Sequence, residues 1–441
     1  MQKYLFSFIL LFYSCSADFS EMNFSDVTFL ENNIEIVNVI GGTEEDIVKK
    51  VISTIDGGFV LVGNSKSTDG HFENKNRIGN DIFLIKMDSK GKLVWIQTYG
   101  GSDDDLGNDV VEDSDGSFYI IGYSKSNDGD ASINKGQHDN WLIKTDPFGK
   151  ILWEKSYGFE GHDHAYNILK TSDGGLFFNG FLDVTASGGL GSSARHGVGE
   201  FWCHKVNING DIVWRKYFGG TNNDRSYDAV ETEDGGFILV GTSESQDVEI
   251  SNPYGSYDMW IVRLSSSGDL IWEKSFGGTA IDEAVVIIKN QDNNFTILGN
   301  TNSQNIEGVK TQGMNDFILL KIDSSGNFIS KIRHGSSKFD YSKDIIQTID
   351  GSYFITGYSR NPKNLSSTNL QNNAVFLTQT QSNGIIQKIW QIKGSNEDLG
   401  YSISQLKNGS VVVVGTTEST DGDFTSKKSK DKDIFVAILN D

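Results

Sequence analysis

A short phrase, Gly-Gly-Thr-x-x-Asp in close variants, returns at a nearly fixed step along this chain. Its aspartate falls at Asp46, Asp105, Asp163, Asp224, Asp282, Asp340 and Asp398, with steps of 59, 58, 61, 58, 58 and 58 residues. Two further columns keep the same phase. A glycine recurs at Gly63, Gly122, Gly180, Gly241, Gly299, Gly357 and Gly415, and a second acidic position reads Asp81, Asp139, Glu200, Asp258, Asp316, Ala374 and Asp433. Self-similarity at such a period is the mark of a repeat architecture. The 441 residues would otherwise allow about three domains of about 150 residues. The repeat replaces that expectation with one domain spanning residues 33–441.

Each unit reads as four short strands. In the fourth, strand A is Ser226 to Thr232, followed by Asp234-Gly235, a pair that suits the positive φ of a two-residue hairpin turn. Strand B is Phe237 to Gly241, strand C Met259 to Arg263 and strand D Leu270 to Lys274. Runs such as Val60-Leu61-Val62 and Val411 to Val414 are apolar on both faces, as in sheets stacked face to face. With 49 Gly, only 3 Pro and no helical period, the chain is neither collagen-like nor Pro-rich, and its units fit β-propeller blades. The seventh unit stops after strand C, Ile434 to Leu439, while Asn33 to Ile40 aligns with strand D of the first unit. The sequence therefore predicts an all-β, seven-bladed propeller closed by residues 33–40 completing blade 7.

The formal charge of −21 excludes nucleic acid as a partner, because that binding rests on Lys and Arg neutralising phosphates. Residues 1–17 read as a signal peptide: Lys3, an apolar run from Tyr4 to Tyr13, then small residues. That run is too short to span a membrane, which takes about 20 residues. Two processings are open: Phe12-Tyr13-Ser14-Cys15 resembles a lipobox that would lipidate Cys15, and cleavage after Ala17 is the other. Residues 18–32 are expected to be a linker. The expected location is the cell envelope, as an outer-membrane lipoprotein or otherwise periplasmic or extracellular, with the membrane touched only through the lipid. Cys203 is the one cysteine beyond Cys15, so no internal disulfide staples the mature fold.

Asp-Gly-Gly-Phe-Ile-Leu-Val-Gly-Thr-Ser-Glu-Ser (234–245) and Trp-Glu-Lys-Ser-Phe-Gly-Gly (272–278) resemble the repeats of secreted or lipoprotein β-propellers of Bacteroidota type. The resemblance implies an exported propeller, mostly without assigned activity in that group. Asp88-x-x-Gly91-x-x-x-Trp95 and Asp146-x-x-Gly149-x-x-x-Trp153 resemble quinoprotein propeller repeats more weakly. The eight blades and vicinal cysteines usual in quinoprotein dehydrogenases are missing, so no redox cofactor is implied.

In a propeller the D–A and B–C loops share one end, which gathers both acidic columns there. The seven motif aspartates, from Asp46 to Asp398, are read as loop-fixing acceptors of backbone N–H groups, with a cation-binding ring as the alternative. The recurring glycine marks a bulge or a close backbone approach. The Trp set (Trp95, Trp153, Trp214, Trp272, Trp390) reads as packing between blades. Asp128 and Asp130, and likewise Asp421 and Asp423, lie in Ser/Asp/Gly-rich B–C loops that read as solvated turns, with oxygens offered to Ca²⁺ as the alternative. A specific site should break the repeat, and blade 3 does. His162 and His164 flank its motif aspartate as candidate metal ligands, with His196 and Glu200 beside them on the B–C loop. The expected function is that of a monomeric, non-catalytic binding or scaffold protein whose loop end takes a protein, a glycan or a cation. The alternative is a propeller glycosidase or lyase with a carboxylate, Tyr and His site near blade 3.

Overall fold

The computed structural model describes residues 34–183, 197–306, 313–360 and 372–440, and the backbone of the strands Asp18–Asn23 and Phe29–Leu30. Seven sheets, each with four antiparallel strands lying side by side in order A to D, make a seven-bladed β-propeller. Strands A are Asp46–Ser53, Asp105–Glu112, Asp163–Lys170, Asp224–Glu231, Asp282–Lys289, Asp340–Gln347 and Asp398–Gln405. They touch one another around the axis. In blade 4 the remaining strands are Phe237–Ser243, Asp258–Leu264 and Leu270–Phe276, within two residues of expectation.

The ring closes where the repeat count placed it. Ile34–Ile40 pairs antiparallel with strand C of blade 7, Asp433–Leu439, so one blade is built from both ends of the described chain. The apolar B and C strands are buried on both faces (Phe59–Ser65 and Asp81–Met87 throughout), because each sheet is sandwiched between two others. Outer tryptophans pack across blades: Trp95 meets Phe118 edge-on at 6.4 Å, and Trp214 meets Phe237 at 5.9 Å.

Two local expectations need correction. The A–B connection of blade 4 is wider than a two-residue hairpin and runs from Thr232 to Gly236. Gly235 does take positive φ (76°). The Asp234 carboxylate widens the turn by accepting from Thr232 Oγ1 at 2.6 Å and Gly236 N–H at 3.3 Å. The segment 18–32 is not merely a linker: Asp18–Asn23 runs parallel to strand D of blade 5, and Phe29–Leu30 to strand D of blade 6. A strand D at a blade rim leaves a row of open backbone groups, and an extended segment satisfies them.

Candidate functional site

The motif aspartates hold the loop end together. Asp224, fully buried, accepts Gly220 N–H at 2.8 Å, Ser243 Oγ at 2.5 Å and Ser245 Oγ at 2.9 Å. Equivalent backbone bonds serve Asp46, Asp105, Asp163, Asp282, Asp340 and Asp398 at 2.6–2.9 Å. Their oxygens face their own loops, and burial raises Asp46, Asp105, Asp224, Asp282, Asp340 and Asp398 above the usual carboxylate range. The B–C loop acids act similarly. Asp128 accepts Ser102 N–H (2.7 Å), Asp130 accepts Gly100 N–H (3.1 Å), Asp421 accepts Ser395 N–H (2.7 Å) and Asp423 accepts Lys393 N–H (2.8 Å).

The blades also differ along strand A, beside the axis. One residue past the motif aspartate, strand A carries Ile47, Leu106, His164, Arg225, Glu283, Tyr341 or Leu399. Three past it come Lys49, Asn108, Tyr166, Tyr227, Val285, Lys343 or Tyr401. These groups meet across blades. Tyr341 donates to Glu283 at 2.5 Å, and Tyr166 lies 5.6 Å from Tyr227. The Lys343 ammonium sits 4.6 Å over Tyr341 and 5.9 Å over Tyr401, while Lys49 sits 5.5 Å over Tyr401. Burial, with Lys49 beside it, pulls Lys343 down to about 8.

Deeper, the strand-A bulge presents Lys50, Asp109, Asn167, Asp228, Val286, Asp344 and Ser402. Lys50 of blade 1 reaches Asp344 of blade 6 at 3.1 Å, past blade 7, a contact possible only across the channel. The acids here also lace neighbouring blades: Asp109 accepts Ile168 N–H (3.0 Å), Asp228 accepts Ile287 N–H (2.8 Å) and Asp344 accepts Ile403 N–H (3.1 Å). Sequence reasoning missed this column. Its signal was available as the position four past each motif aspartate, where Lys, Asp, Asn, Val and Ser alternate.

Between blades 2 and 3 the mouth of the channel holds three imidazoles. His138 Nδ1 lies 2.9 Å from His164 Nε2 and 3.0 Å from His162 Nδ1. Backbone pairing sets the meeting, since His138 and His162 form a parallel bridge and Asp163 N–H donates to His138 carbonyl at 2.8 Å. Tyr123 stacks on His164 at 4.0 Å, and Tyr166 Oη is 3.4 Å from His164 Nδ1. Burial, then the neighbouring His162, hold His138 down at about 4; burial, then His138 and His162, hold His164 at about 3. Both rings are therefore neutral at pH 7.

Of the blade 3 residues singled out in the sequence, His162 and His164 do come together. His196 lies outside the described residues, and Glu200 is not in the cluster but buried in strand C opposite Leu182. The missing member is His138. A D–A loop leans on the B–C loop of the blade before it, so the neighbour of His162 comes from blade 2. His138 precedes Asp139 as His162 precedes Asp163, and that shared offset was the available signal. Cys203 is buried, and burial pushes its thiol up, away from reactivity.

No family model matches the chain. A regulatory protein of Caulobacter vibrioides, FlaEY, is 23% identical over 253 residues, 51% of this chain and 26% of that protein. The match thus spans about a quarter of that relative's length. Among solved structures, a protein of unknown function from Dyadobacter fermentans is 10% identical with a TM-score of 0.45, covering 93% of this chain and 100% of that one. A polysaccharide lyase acting on ulvan is 10% identical with a TM-score of 0.49, covering 86% and 93%. The Pan2 WD40 domain of Neurospora crassa is 7% identical with a TM-score of 0.49, covering 94% and 98%. Likenesses this distant say nothing of activity.

Proposed function

We propose that this is an exported, non-catalytic binding protein, lipid-anchored at Cys15, that takes an acidic glycan into the loop-end mouth of its channel. One observation carries the reading. The repeat is kept in the motif aspartates that fix the loops and abandoned at the strand-A positions beside the axis, where Lys49, Lys343 and Arg225 stand among Tyr166, Tyr227, Tyr341 and Tyr401. Glu283 accepts from Tyr341 and keeps its negative charge, so at these positions three cations stand against one carboxylate in a chain of charge −21. Aromatic faces suit sugar rings, and ammonium and guanidinium groups suit carboxylates.

A second reading rests on Lys343. An amine pulled to about 8, among tyrosines, suits a base that removes a proton beside a carboxylate, as an elimination on a uronate requires. One experiment separates the readings. Calorimetry with uronic-acid oligosaccharides should give binding that the neutral hexose counterparts do not give. Lys343→Ala should weaken it about tenfold, equivalent to about 1.4 kcal/mol. The ultraviolet absorbance of unsaturated uronate should stay flat for a binder and rise for a lyase. Uronate oligomers that do not bind overturn both. Cell fractionation checks the anchor, since Cys15→Ser should leave the membrane fraction.

A further inference from the structure

We infer that His138, His162 and His164 form a binding site for one divalent transition-metal ion of the Zn²⁺ class. Among the described residues this is the one place where three metal-ligating side-chain atoms lie within 4.8 Å of one another. Two nitrogens bound to one tetrahedral ion at about 2.0–2.1 Å lie about 3.4 Å apart. The contacts of 2.9 and 3.0 Å must open by about 0.4–0.5 Å to reach that spacing, and the third pair, His162 and His164, lies within 4.8 Å, so loading calls for the rings to turn about a common centre.

Proton accounting points the same way. Two ring nitrogens converge on the single Nδ1 of His138. As a donor that atom serves one of them; as an acceptor it has one lone pair for two. A cation at the centre satisfies all three lone pairs at once.

The surroundings match a ligand set rather than a chance cluster. The far nitrogen of His164 faces Tyr166 Oη at 3.4 Å, and an oxygen behind the ring is what orients metal-bound histidines. Tyr123, stacked at 4.0 Å with an interplanar angle of 15°, fixes the plane of His164. An all-nitrogen set selects Zn²⁺, Co²⁺, Ni²⁺ or Cu²⁺ over Ca²⁺, which takes oxygens. Tyr166 lines both sites, but the inference stands on the meeting of the three imidazoles and uses nothing of the glycan reading, whose cations Lys343 and Lys49 belong to blades 6 and 1.

The test uses tag-free full chain, stripped with chelator and dialysed. Titration with Zn²⁺ should load one ion per chain by elemental analysis and raise the melting temperature. Co²⁺ should give the intense visible absorption of a low-coordinate site. His138→Ala should abolish both the loading and the absorption while melting as the metal-free parent does. His71→Ala, an imidazole on another B–C loop bound to Gly41, should change neither. If His138→Ala does not fold, His162→Ala is read in its place. Wild-type chain that takes up no stoichiometric ion, or a histidine variant that loads as the parent does, overturns the inference. Loss of the ion with uronate binding intact would leave the glycan reading standing.

Discussion

Asp228 shows what the repeat does not announce. It sits in the channel with its oxygens on Ile287 and Ala229 N–H groups, and burial pushes its carboxyl up to about 7, with the Lys50 ammonium pulling part way back. Asp109 is raised to about 6 for the same reason. The sign follows from linkage. An acid whose folded value lies above its unfolded value binds more protons in the native state. Its favourable contribution is therefore full at about pH 4 and is lost as pH climbs through about 7. Asn imitates the protonated acid. We expect the melting temperature of Asp228→Asn, relative to wild type, to rise by at least about 2 °C between pH 5 and pH 8. A difference that does not change with pH would remove the buried-acid account. The motif aspartates were legible because every blade repeats them, whereas Asp228 and His138 were not, because their partners come from neighbouring blades and one repeat does not contain them.

At the scale of the strand, the recurring glycine explains the shape of every blade. Strand A carries a bulge after its third residue; in blade 2 the register shifts between Gly107 and Asp109, opposite Gly122. A Cβ on Gly122 would lie on the Leu106 carbonyl oxygen, so this strand B approaches closer than any side chain permits. Gly299 is the milder case: its added Cβ would first meet the flexible Met259 methyl at 2.6 Å, with the Glu283 carbonyl at 2.8 Å. Gly122→Ala should cost about 1–3 kcal/mol, the usual range for overpacking, and Gly299→Ala less than half as much. Thermal melting of the two variants side by side checks the order, and equal losses would refute the close-approach reading. The first glycine of the motif obeys a similar rule. A Cβ on Gly158 would fall on the Asp139 carboxylate, and one on Gly335 on that of Asp316. Blade 6 confirms the coupling from within the chain: where Ala374 replaces the acid, Lys393 replaces the glycine. Both columns were visible in the sequence, but their dependence became visible only once strands C and D lay side by side.

For the whole molecule, the decisive element is the strand that joins the ends. Ile34–Ile40 pairs with Asp433–Leu439, and Asn38 Nδ2 donates to Gly91 carbonyl of blade 1 at 3.3 Å, so this strand bridges blades 7 and 1. Behind it, Ile434, Val436 and Ile438 are buried in a core shared with Val48 and Phe59. The closure was legible because the count of strands left one missing at one end and one surplus at the other. The two rim strands were not, since backbone edges attract partners without any side-chain signature. The two kinds of N-terminal strand should therefore behave differently on truncation. A chain beginning at residue 34 loses Asp18–Asn23 and Phe29–Leu30, which only cap the rims of blades 5 and 6. It should melt within a few degrees of the parent, because each rim is already the outer edge of a complete four-stranded blade. A chain beginning at residue 41 loses strand D of blade 7, opens the edge of an apolar strand and breaks the bridge to blade 1. It should aggregate or melt at least about 10 °C lower, since an open apolar edge both weakens the ring and recruits other chains. Scanning calorimetry of the two truncations decides it. Equal melting would mean that the ring holds without its closing strand.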